Sequence, residues 1–113
     1  MMAVLMDFEH LDMLKEAIGE DLNEILEVFI ENTPNSLELM QKAFDAKDAD
    51  SLRLHAHTLK GSAANVGATL LAEQAKVVEM AVKAHQLDGL SDNIYEIETT
   101  FSEVRNQLNH YKK

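Results

Sequence analysis

His57 stands one helical turn before Lys60, and Gly61 and Ala64 follow it at four and seven positions. Residues spaced three, four and seven apart share a helix face, so this spacing gathers an imidazole, an ammonium and two unobstructive side chains. An exposed imidazole, with a reference pKa of about 6.5, is mostly unprotonated near neutral pH and is a competent nucleophile. Attack by one ring nitrogen on an activated phosphoryl group gives a phosphoramidate, a covalent intermediate that divides one transfer into two. The Lys60 ammonium can offset the charge that builds on the phosphoryl oxygens. Glycine costs roughly 0.5–1 kcal/mol relative to alanine in a helix interior, so Gly61 points to close approach by a flat partner surface. Ser62 and Asn65 flank the site, and the sequence leaves open whether they hydrogen-bond the imidazole or the partner.

These residues need a helix that turns His57 outwards. Leu52, Ala56, Leu59, Ala63, Val66 and Leu70 are spaced 4, 3, 4, 3 and 4 and form one apolar stripe. The stripe lies on the far side of the helix from His57, so the imidazole projects away from the core. His55, about 160° round the helix from His57, turns towards the seam and packs at the edge of the core. Positions i and i+2 do not face each other, so His55 and His57 cannot chelate one metal. His10, His85 and His110 have no ligand partners at suitable spacing. Cysteine is absent and no Glu-x-x-His pair lies inside the stripes, so no metal site is expected.

The rest of the chain supplies partners for that helix. A short helix starts after Asp7, which can cap it, and runs to about Ala17, with Phe8, Leu11, Leu14 and Ile18 as its stripe. After Gly19, one long bent helix covers residues 20–45 through Pro34. Its stripe is Leu22, Ile25, Leu26, Phe29 and Ile30, resuming as Leu37, Met40 and Phe44. Residues 46–49 make a tight connection with Asp48 or Asp50 as cap. The central helix occupies about 50–66, and Gly67 suits the left-handed position that ends it. A further helix over 69–84 carries Leu71, Ala75, Val78 and Val82. The stretch 85–92 is the least periodic. The last helix follows with Ile94, Ile97, Phe101, Val104, Leu108 and Tyr111. Met13, Met40 and Met80 could soften a binding surface, but are expected first as core gap-fillers. Short connections make neighbours antiparallel, so the expected fold is an all-α, up-down-up-down four-helix bundle with a short additional N-terminal helix, a single domain over 1–113.

The run His57-Thr58-Leu59-Lys60-Gly61-Ser62-Ala63-Ala64-Asn65-Val66-Gly67 resembles the signature of the histidine-containing phosphotransfer (HPt) domain family. That signature is a histidine, any residue, Leu-Lys-Gly, two small residues, two further residues, an aliphatic and a glycine. Chain length, helix order and the central place of the segment match as well. The resemblance implies that His57 is the phosphorylated nucleophile, that Lys60 faces the phosphate, and that Gly61 is the permissive small residue. It implies a phosphorelay in two-component signal transduction, from a phospho-aspartate on one receiver domain to an aspartate on another. The partners it implies are response-regulator receiver domains, with a hybrid sensor kinase as a further candidate. They are expected to dock around His57 on part of the first helix and the exposed side of the second. The chain itself is expected to bind no cofactor, with Mg²⁺ held by the receiver's acidic residues. The competing reading is a non-catalytic adaptor that binds receivers on the same surface without turnover.

Charge narrows the field further. The net charge is −10, and residues 1–50 carry all of it, with 13 acids against 3 lysines; residues 51–113 balance at 7 and 7. A concentrated basic footprint is missing, which argues against nucleic acid. The acidic half is either a solvated face or a surface that steers a basic partner. No glycine-rich phosphate loop occurs, so neither nucleotide binding nor autonomous kinase activity is expected, and the chemistry is that of a phosphoryl carrier. The apolar run Met1 to Met6 is too short for a membrane span and lacks the basic flank of a signal peptide, so a cytoplasmic location is expected.

Overall fold

The computed structural model describes residues 3–112. The elements are α1 (Phe8–Ile18), α2 (Asp21–Asp45), α3 (Ala49–Asn65), α4 (Thr69–Lys83) and α5 (Leu90–Tyr111), and no strand occurs among the described residues. Helices α2 to α5 form a closed ring of packed neighbours, each against the next and α5 back against α2, while α1 packs against α2. The stripes read from the sequence meet in one core. On α3, Leu52, Ala56, Leu59 and Ala63 are buried, and Val66 continues the row just past the helix end. They face Leu71, Ala75, Val78 and Val82 of α4 and, across the bundle, Ile94, Ile97, Phe101, Val104 and Leu108 of α5. Phe29 and Phe101 join α2 to α5 edge to face, with ring centroids 6.0 Å apart.

Local chemistry sets the helix ends. Asp7 caps α1 by accepting from the His10 amide, and Asp48 caps α3 by accepting from the Ser51 amide. Gly67 follows α3 at φ 75°, the left-handed conformation expected of it. Its carbonyl also accepts from the Asp7 amide at 2.8 Å, which ties the start of α1 to the α3–α4 turn. A Cβ on Gly67 would lie 2.9 Å from the Asp7 carbonyl oxygen, so glycine is needed there for space as well as for φ. At the other end of α1, Phe8 stacks on Tyr111, and the Tyr111 hydroxyl donates to Asp12 at 2.8 Å. Burial and that carboxylate both push the Tyr111 pKa up.

Four expectations need correction. The last helix begins at Leu90, four residues before Ile94, because Gly89 at φ 83° makes the turn itself and Leu90 extends the stripe. Leu70 belongs to α4, because α3 ends at Asn65. In α1 only Leu11 is fully buried; Phe8 and Ile18 remain partly exposed because that helix has α2 as its main neighbour. Met40 fills the core, whereas Met13 and Met80 face outwards. At Pro34 the helix is continuous. The Thr33 hydroxyl donates to the Phe29 carbonyl at 2.6 Å, adding a side-chain donor in the turn where proline removes a backbone one.

Candidate functional site

The outward face of α3 carries His57 near its middle. Its side chain is 63% exposed, while Leu59 and Ala56 on the opposite face are sealed in the core. His55 is half-buried at the edge of the seam. The site has a floor that helix spacing did not reveal. Glu79 of α4 is only 2% exposed, and its carboxylate reaches up between two α3 side chains. Its Oε2 lies 2.7 Å from His57 Nδ1, and its Oε1 accepts from Lys60 Nζ at 2.7 Å. Lys83, one turn further along α4, stands 3.9 Å from Oε2.

The electrostatics decide the tautomer. The hydrogen bond from Lys60 lowers the Glu79 pKa most; burial opposes it, and the bond from His57 and the two nearby charges add to the lowering. The carboxylate is therefore ionised and can only accept, so the proton between the two groups is carried by His57 Nδ1. In the neutral ring that leaves the Nε2 lone pair on the exposed side, and no described residue bonds to Nε2. A carboxylate that holds an imidazole from below fixes both ring orientation and tautomer.

The depressed pKa also gives Glu79 a stability contribution with a definite sign. A carboxyl whose folded pKa lies below its ordinary value of 4.5 stabilises the fold fully above that value, and the contribution disappears as pH falls through the folded pKa. Thermal melts of the wild type and Glu79→Gln from pH 7 to pH 3 should show the wild type losing stability more steeply below about pH 4.5. Parallel curves would remove Glu79 from the acid response.

The other candidate residues fall into place around this centre. Lys60 is on the His57 face, half-buried, with its ammonium held by Glu79. Gly61 and Ala64 are exposed beside His57. A Cβ on Gly61 would meet nothing within 4 Å, so the fold places no steric demand on glycine there. Gly61→Ala should therefore raise Tm by about 2–5 °C, from roughly 0.5–1 kcal/mol of helix propensity, while slowing exchange with a docked partner. Calorimetry together with a transfer assay checks both halves, and a lowered Tm would show that the glycine serves the fold. The Ser62 hydroxyl donates to the Leu59 carbonyl at 3.3 Å, and the Asn65 backbone carbonyl is 2.9 Å from His10 Nε2; neither residue is hydrogen-bonded to the His57 ring. Both line a groove of about 380 Å³ between α2 and α3, together with Ile25, Val28, Asn32 and Thr58.

Glu79 did leave a trace in the sequence. It lies four residues after Ala75 and three before Val82, inside the apolar arc of α4, where a lone acid needs a partner. No cluster of three or more potential metal ligands occurs among the described residues. No helix among them is long and apolar enough to cross a membrane.

Comparisons with known proteins concern the chain as a whole. A family model described as the Hpt domain matches residues 24–107, which include His57, Lys60 and Glu79. Histidine-containing phosphotransfer protein B from Pseudomonas aeruginosa PAO1 is 29% identical and superposes with a TM-score of 0.92, over 96% of this chain and 94% of that one. The HPT domain of a sensor hybrid histidine kinase from Shewanella shares the fold at 16% identity and a TM-score of 0.78, over 95% and 92% of the two chains. Among curated proteins no relative matches the chain.

Proposed function

Because the chain belongs to the Hpt domain family and so relays phosphoryl groups between receiver domains, we propose that His57 is the residue that carries the phosphoryl group. The observation that supports this most is the shared Glu79 carboxylate, which holds the Nδ1 proton and leaves Nε2 free at the surface. Nε2 attacks the phosphorus of a receiver's aspartyl phosphate. The N–P bond forms as the P–O bond to the aspartate breaks, and the aspartate departs as a carboxylate. The proton on Nδ1 stays in place, so the phosphorylated ring is cationic, and the Glu79 carboxylate beneath it balances that charge. Lys60 is one turn from His57 and can move from Glu79 to the new phosphoryl oxygens. The reverse sequence passes the group to an aspartate on a second receiver.

The receiver brings the remaining catalytic groups, including Mg²⁺ on its own acidic residues. Gly61 and Ala64 let its surface come down onto α3, and Ser62 and Asn65 offer hydrogen bonds beside it. The test is incubation with a phosphorylated receiver domain and Mg²⁺. An acid-labile, base-stable adduct on this chain, mapped to the peptide that holds His57, is the expected result. Receivers that bind yet never transfer would overturn the carrier assignment in favour of an adaptor.

A further inference from the structure

His57 stands between an apolar groove rimmed by acids and a face richer in cations. On the α2 side is the apolar groove, whose outer wall exposes Ile25 and Val28. Met13 of α1 is 67% exposed and lies one turn on from His10, which contacts Asn65 at the groove. Acids border both. Glu9 and Glu16 lie four before and three after Met13; Asp21 and Glu24 lie seven and four before Val28, and Glu31 three after it. All five are exposed, and none has an ion-pair partner among the described residues. The lysines of these two helices are engaged elsewhere, Lys15 over the Tyr111 ring and Lys42 with Glu38.

The α4 side is richer in cations. Lys60 and Lys83 surround Glu79, Arg53 lies one turn before His57, and Lys76 one turn before Glu79. Only Lys60 and Lys83 of these reach the Glu79 carboxylate, and the exposed acids Asp50 and Glu73 lie one turn before Arg53 and Lys76.

We propose that, among receivers, this chain selects those whose docking helix carries lysines or arginines along its edges, and that the unpaired acids bordering the groove make that choice. This rests on the receiver reading above and adds to it the chemistry that separates one receiver from another. Unpaired acids around an apolar strip favour a basic rim and repel an acidic one, which sets both on-rate and choice of partner. A second copy of this chain is a poor occupant, because it would bring the same five acids into opposition.

The probe is a pair of synthetic amphipathic helical peptides with one Leu/Ala ridge, flanked by Lys and Arg in one and by Glu in the other. Amide shifts of the intact protein are followed by NMR at 50 and 300 mM NaCl. The basic peptide should move Val28, Asn32, Ser62 and Asn65, with affinity falling about 10-fold over that salt range, while the acidic peptide leaves them unmoved. Glu24→Lys combined with Glu31→Lys, both exposed positions, should weaken the basic peptide about 10-fold and admit the acidic one. Equal binding of both peptides, or no groove shift with the basic one, overturns the proposal. So do groove shifts that grow with protein concentration alone, which would assign the groove to a second copy. No phosphoryl group is involved, so failure here leaves the carrier role of His57 standing. Conversely, groove binding without any adduct on His57 would sink the carrier role alone.

Discussion

His57→Gln is expected to abolish the acid-labile adduct while leaving receiver affinity within a few-fold of wild type. The carboxamide can still donate to Glu79, so the buried carboxylate keeps a partner and the fold keeps its seam. What is lost is the exposed Nε2 lone pair, for which glutamine has no substitute. Gly61, Ala64 and the groove, which shape the approach of the partner, are unchanged. Radiolabelled transfer and a binding titration on the same sample separate the two effects. An adduct that survives the substitution would move the chemistry to another histidine, with half-buried His55 the nearest alternative on the same helix.

Changes at Glu79 should slow transfer without preventing it. Glu79→Ala removes the acceptor for Nδ1–H, frees the ring to change tautomer, and leaves a cationic phosphoimidazole uncompensated. A loss of roughly 10–100-fold in transfer rate is expected. This is smaller than the roughly 10⁴ that the orienting carboxylate of a Ser-His-Asp triad supplies, because the receiver contributes most of the catalysis. Glu79→Gln keeps an acceptor oxygen but not the charge, and should fall between alanine and wild type. Nitrogen-15 spectra of the imidazole provide the readout that a merely structural role would not move. The wild-type ring should show the Nδ1–H form, and the alanine variant a mixture. Unchanged tautomer and rate in Glu79→Ala would reduce the residue to a partner for Lys60.

The difference between these two residues follows how the site is laid out along the chain. His57, Lys60, Gly61 and Ala64 occupy two turns of one helix, so their relation is fixed by 3.6-residue geometry and is legible in their spacing alone. Glu79 lies 22 positions beyond His57 and meets it only because α3 and α4 pack antiparallel in one register. Periodicity predicts that the two helices pack; it does not say which residues come level. The same limit explains the exposed groove. Ile25 matches its helix stripe as well as Leu26 does, yet it lies open on the groove while Leu26 is sealed in the core. The late start assigned to the last helix has a local cause: Ser91, Asp92 and Asn93 make its first turn polar and mask the continuation from Leu90 to Ile94.

His57, the proposed nucleophile, and the carboxylate that meets its ring are on different helices. A molecule whose α3 and α4 have drifted apart still presents a histidine to every passing receiver, but an unoriented one, while a charge made for burial is released into water. Competence to signal therefore depends on the tertiary seam and not on the motif alone. A chain whose central helix has formed ahead of that seam is therefore expected to relay as weakly as Glu79→Ala, so the strength of its signal reports how far it has assembled.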